Sequence, residues 1–356
     1  MKGRRLALSY AAFLTILLCG GFVLAFYFAW QSGARASVFC VFGIMLGFIF
    51  APIVHEFGHI AMASCGKMDC VYAKFFCFTI YVKKGKKRFG FASPLAADQT
   101  QVVPKMGGDI KKRALLYTAG GLMTSGLFLF CLVCVALTLT LVGKTNYIWW
   151  GAVPYPAYLF FLNVLPFEYA SGKTDALVYR GIKKEEDAEK TMLAAMEIQG
   201  RLYAGETFAQ MDEKLYFELP QLREDEPLYA VILDLRYRYY LEKEDLQGAA
   251  ECLNRLITAQ EYLSDTELEK LAGELVYMHS VLGNVEKAEE RSKACREYLV
   301  GDSAAAKRIL AAFSHAAGKT EAIEPLIAQA REALQYERIS GLKKWEEILL
   351  SRISEK

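Results

Sequence analysis

The chain predicts an all-α polytopic membrane protein, with about four transmembrane helices and a small cytoplasmic β-hairpin, followed by an α-helical repeat-like cytoplasmic domain. Three observations predict this. Hydrophobic residues make up 54% of the 356 positions and crowd into the first half, in four runs each able to cross about 30 Å of hydrocarbon at roughly 20 residues. A strongly basic stretch between the second and third runs carries a strand-turn-strand pattern. The remainder interleaves acidic and basic residues at helical spacing, without a Gly/Pro-rich linker. The division expected is a membrane domain over 1–183 and a cytoplasmic helical domain over 184–356.

The first run, Leu6 to Trp30, follows Lys2, Arg4 and Arg5. It is too long for a signal-peptide core of about 7–15 residues, so it reads as a retained anchor. The others are Ser37 to about Ser64, Ala114 to Val142, and Tyr147 to about Pro166. Between Lys67 and Arg113 eleven basic residues face three acidic ones, a net of +8. Short basic loops stay in the cytoplasm, which puts the N-terminus, the 67–113 loop and the tail inside, with the links at 31–36 and 143–146 outside. Within that loop Val71 to Val82 and Arg88 to Ala92 read as strands around a turn at Lys83 to Lys87, centred on Gly85. Such a hairpin suits pairing with an extended peptide or lying on anionic lipid.

Inside the second run stands His55-Glu56-Phe57-Gly58-His59, where Glu56 is the one charged residue from Ser37 to Ala63. Side chains four apart share a helix face, so His55 and His59 can grip one Zn²⁺ while Glu56 serves as general base toward water there. Ionisable residues at membrane depth are expensive and rare without a task. The alternative, two satisfied core histidines, does not account for three polar groups within five positions. A proton relay would need ionisable groups along several runs, and the other three have essentially none before Glu168.

A catalytic zinc takes three protein ligands, and two histidines supply only two. The remaining histidines, His279 and His315, lie deep in the polar tail. Two carboxylates follow the fourth run, Glu168 and Asp175, and both qualify by position. Asp175 also suits a helix N-cap, since the helix expected next runs from Ala176 to Lys183 after a break at Ser171-Gly172.

With His55-Glu56-x-x-His59, Asn163-Val164-Leu165-Pro166 and Asp175 in this order, the first half resembles the site-2 protease family of intramembrane zinc metalloproteases. Ala119-Gly120-Gly121-Leu122-Met123-Thr124 is similar to the family's small-residue motif, and here reads as a helix-packing face. Ala176 stands where the family usually has glycine, and nine positions separate Pro166 from Asp175, more than is usual. The resemblance implies Asp175 as third ligand, Glu56 as base, Asn163 as a contact to the substrate backbone or oxyanion, and a Zn²⁺ cofactor. It also implies peptide-bond hydrolysis in membrane-protein substrates, often regulators such as an anti-sigma factor. The alternative is a proteolytically silent scaffold whose tail binds partners.

From Ala176 on, 25 basic residues face 34 acidic ones, a net of −9. Ala250, Ala288 and Ala322 follow turns at intervals of 38 and 34, near the tetratricopeptide period of about 34 residues. The tail is therefore expected to be tetratricopeptide-like, presenting a concave surface to a protein or peptide ligand, with a generic helical bundle as the alternative. The nine cysteines form no zinc-ribbon framework, and the partners expected are the bilayer, the substrate and this ligand, with no nucleic acid.

Overall fold

The computed structural model describes residues 2–83, 86–93, 98–169, 172–224, 226–258, 263 and 265–355. Gly85 and Ser171, expected in turns, lie outside the described residues. The chain divides into two compact units, one of Met1–Val103 with Asp109–Glu186, the other of Asp187–Lys356 with Pro104–Gly108.

In the first unit α1 (Lys2–Gln31), α2 (Ala34–Cys65) and α3 (Ile110–Leu141) are long and apolar enough to cross a membrane. Ile16, Val23, Leu127 and Phe130 each point outward with at least 64% exposure, a surface suited to hydrocarbon. The fourth run differs from expectation. It forms two short helices, α4 (Tyr147–Ala152) and α5 (Pro154–Val164), that meet at Val153. Pro154 and Pro156 lack the N–H that would carry the helical ladder through this point. Asn146 caps α4 by accepting from the Ile148 N–H at 3.1 Å. Small residues let α4 lie against α2: a Cβ on Gly47 would come 2.8 Å from the Ala152 carbonyl oxygen.

A four-stranded sheet follows α2, in the order β3-β2-β1-β4. Its strands are β1 (Met68–Phe75), β2 (Phe78–Lys83), β3 (Lys86–Phe91) and β4 (Gln99–Pro104). The stretch expected as one strand from Val71 to Val82 is thus two, paired antiparallel from Tyr72↔Tyr81 to Phe75↔Phe78. The turn between them bears no glycine signal, and Phe76 takes a φ of 53°. Its support is remote in sequence: Asp98 Oδ1 accepts from the Phe76 N–H and from the buried Lys74 Nζ, both at 2.8 Å. The expected pairing of β2 with β3 is present, from Phe78↔Phe91 to Lys83↔Lys86. β4 has no counterpart in the sequence reading, because Gln99-Thr100-Gln101 is polar and lacks the apolar alternation of a strand.

The second unit is helical, with α7 (Asp187–Ala204) and α8 (Lys214–Phe217) leading into three helical hairpins. These pair α9 (Pro227–Glu242) with α10 (Leu246–Thr258), α11 (Asp265–Val281) with α12 (Val285–Ala294), and, after the short α13 (Arg296–Val300), α14 (Ala304–Ala316) with α15 (Ile323–Leu334). α16 (Ser340–Ser354) closes the chain. Each hairpin turns on one left-handed residue, Glu244, Gly283 or Gly318. Each turn closes with the same long bond: the N–H of Asp245, Asn284 or Lys319 donates to the carbonyl of Tyr240, His279 or Ser314. The packed positions are Ala249, Ala288 and Ile323, five residues past each left-handed residue and all buried. The register expected at Ala250 and Ala322 is therefore off by one in two of the three hairpins, since both are only partly buried. Tyr237, Glu274, Arg308 and Glu346 meet between these hairpins. Arg308, fully buried, donates to Glu274 at 2.6 Å and to Glu346 at 2.7 Å, and Tyr237 donates to Glu274 at 2.7 Å.

Candidate metal centre

His55, Glu56 and His59 ride the C-terminal half of α2 and are all buried. One helical turn apart, the two imidazoles bring their Nε2 atoms to 3.4 Å. Their Nδ1 atoms are held by α3: His59 Nδ1 donates to the Tyr117 carbonyl at 2.9 Å, and His55 Nδ1 pairs with Ser125 Oγ at 3.0 Å. The carbonyl can only accept, so His59 keeps its proton on Nδ1 and turns the Nε2 lone pair inward.

Asp175 reaches the same point from α6 (Asp175–Lys184). Its Oδ2 lies 3.2 Å from His55 Nε2 and 3.3 Å from His59 Nε2. Although near both nitrogens, this buried oxygen takes no hydrogen bond. Burial acts to raise the Asp175 carboxyl, and the two imidazoles beside it outweigh burial and hold it well below the usual carboxylate range. Among the described residues, His55, His59 and Asp175 are the group whose ligand atoms converge closely enough to share an ion. A tetrahedral zinc with bonds of about 2.0–2.1 Å sets its ligands roughly 3.3–3.4 Å apart. The three observed separations match that edge.

The nine-position spacer is absorbed by a small hairpin, β5 (Glu168–Tyr169) with β6 (Gly172–Lys173), paired Glu168↔Lys173 and Tyr169↔Gly172. At its base the Thr174 N–H donates to the Phe167 carbonyl at 3.0 Å, and Thr174 Oγ1 donates to the Leu165 carbonyl at 2.8 Å. These bonds return the chain to the end of α5. Thr174 then caps α6, accepting from the Leu177 N–H. Asp175 is thus not the N-cap, and its carboxylate is left for other partners. Glu168 sits exposed on the hairpin and is not part of the converging group of ligand atoms.

Glu56 Oε2 accepts from Thr100 Oγ1 on β4 at 2.6 Å. The Thr100 carbonyl in turn accepts from the Tyr117 hydroxyl at 2.7 Å. A cavity of about 480 Å³ opens beside these groups, and Gln99, Thr100, Tyr117, Tyr155, Asn163 and Asp175 are among its walls. Asn163 is thus at the site, with Nδ2 donating to the Leu159 carbonyl at 3.2 Å.

Sequence reading placed His55, Glu56, His59, Asp175 and Asn163, and the structure brings all five to one cavity. It missed Thr100, Tyr117 and Ser125. A signal for two of them exists: Tyr117, Gly121 and Ser125 lie four apart and so share one face of α3. Gly121 is part of this face for a steric reason. A Cβ there would come 2.7 Å from His55 Cε1 and overlap the His59 ring, so the small-residue run of α3 is the floor of the site as well as a packing surface. No protein-family model matches the chain, and no match is found among curated proteins or solved structures.

Proposed function

We propose that the protein is an intramembrane zinc-dependent endopeptidase of the site-2 type, with His55, His59 and Asp175 as metal ligands and Glu56 as general base. The observation that carries this reading is the mutual spacing of the three ligand atoms, 3.2, 3.3 and 3.4 Å, with an orphaned carboxylate oxygen among them. A bound zinc supplies Lewis acidity toward a carbonyl and lowers the pKa of water toward neutrality. Glu56, held through one oxygen, accepts the proton from water and returns it to the leaving amine. Asn163, on the cavity wall, donates to the substrate backbone or the developing oxyanion. A helical substrate hides its amides, so the target is held extended. β4 is an edge strand and two of its residues line the cavity, which makes it the template for strand addition.

In this reading α4 and α5 together make the fourth crossing. The N-terminus, the basic loop and the tail face the cytoplasm, and substrates are single-pass or hairpin membrane proteins, such as anti-sigma-type regulators. The tail acts as a tetratricopeptide-like platform for a protein or peptide that delivers or restrains the substrate.

Detergent-solubilised protein is expected to carry about one zinc per chain, three protein ligands serving one ion. His59→Ala and Asp175→Ala lose the zinc. Glu56→Gln keeps it and abolishes cleavage of fluorescein-labelled casein. Zinc-free protein after metal supplementation, or cleavage that survives Glu56→Gln, overturns the proposal.

A further inference from the structure

Four groups around the candidate site form a connected ring that the proposed chemistry does not by itself require. Glu56 Oε2 accepts from the Thr100 hydroxyl at 2.6 Å, and the Thr100 carbonyl accepts from the Tyr117 hydroxyl at 2.7 Å. The Tyr117 carbonyl accepts from His59 Nδ1 at 2.9 Å, and His59 returns to Glu56 along one turn of α2. Glu56 is buried, so a side chain that fills one of its oxygens also fixes where the other points.

We infer, on the basis of the endopeptidase reading, that Thr100 is a positioning residue which locks the Glu56 carboxylate in its working orientation and makes that orientation depend on strand β4. Thr100 reaches the base from the strand best placed to receive the substrate, so seating a peptide on β4 and aiming Glu56 are one event. Tyr117 sets the depth of Thr100 through its hydroxyl and orients His59 through its carbonyl. Side-chain changes at Tyr117 therefore act on Thr100 and leave the bond to His59 in place.

The test uses the full-length zinc-loaded protein and three variants: Thr100→Val, which keeps the branched shape a strand prefers, Thr100→Ser and Tyr117→Phe. Thr100→Val is expected to keep its zinc. Its kcat on labelled casein falls on the order of 10- to 100-fold, since a misdirected catalytic group loses about that much, while KM stays within about twofold because no substrate contact is removed. Thr100→Ser restores most of kcat, and Tyr117→Phe falls between. A readout free of turnover is the binding of acetohydroxamate to the zinc-loaded protein. Its proton needs the aimed carboxylate, so affinity drops roughly tenfold in Thr100→Val, as when one supporting hydrogen bond to a metal site is lost. The inference is overturned if Thr100→Val keeps kcat and hydroxamate affinity, if it sheds zinc together with activity, or if Thr100→Ser is equally impaired. Cleavage that persists in Glu56→Gln is a different result, which removes the endopeptidase reading and this inference with it.

Discussion

Ser125 Oγ and the Tyr117 carbonyl hold the two imidazoles by their Nδ1 atoms, so neither ring is free to rotate its Nε2 away from Asp175. Supporting bonds of this kind are typically worth about 10- to 100-fold in metal affinity. Ser125→Ala is accordingly expected to weaken zinc binding by that factor in a chelator competition. Gly121→Ala is expected to weaken it at least as much, because the added methyl occupies space the imidazoles hold. Gly20→Ala is the control: a Cβ there has nothing within 4 Å, and zinc binding should not change. At this scale His55, Glu56 and His59 were legible because helical spacing alone brings them together. Asp175 was reached through the order of fragments along the chain. Thr100 was not legible, since its role comes from a strand that only the folded sheet sets beside α2.

Among the elements, the informative departures have both distant and local causes. The turn at Phe76 forms without glycine because Asp98 supplies its bonds. The spacer before Asp175 looked too long because a paired hairpin cannot be distinguished in sequence from slack chain. The fourth apolar run read as one continuous segment because hydropathy does not register the helix break at Val153–Pro154. The helical character of the second unit was legible, and the turns of its hairpins give a clean test. Gly283 and Gly318 hold φ of 76° and 70°, and a Cβ on either would meet nothing within 4 Å. Gly283→Ala and Gly318→Ala should therefore each cost about 1–2 kcal/mol, purely from the left-handed backbone. A lower thermal midpoint for the tail transition, with unchanged helical signal before melting, is the expected outcome.

At the scale of the whole molecule, the second unit is organised around one buried cation. Arg308 pairs with Glu274 on α11 and Glu346 on α16, and Tyr237 on α9 completes the network. Burial raises Glu346, and Arg308 only partly counters it. Removing the guanidinium leaves two carboxylates without their shared partner, and breaking such a network costs about 3–5 kcal/mol. Arg308→Ala is expected to unfold the tail at markedly lower temperature. Zinc content should be retained, as the proposed ligands belong to the other unit.

Pro104–Gly108 belongs to this second unit although it runs from the last residue of β4 toward α3. The Gly108 N–H donates to Glu197 Oε2 at 2.8 Å, and a Cβ on Gly200 would come 2.7 Å from the Met106 carbonyl carbon. The two bodies are consequently threaded through each other in sequence, and no single cut frees either one whole. A fragment starting at Asp187 lacks five of its own residues, while one ending at Glu186 keeps a bare loop whose seat is gone. Anyone wishing to graft this tail onto another scaffold must transplant two separate stretches.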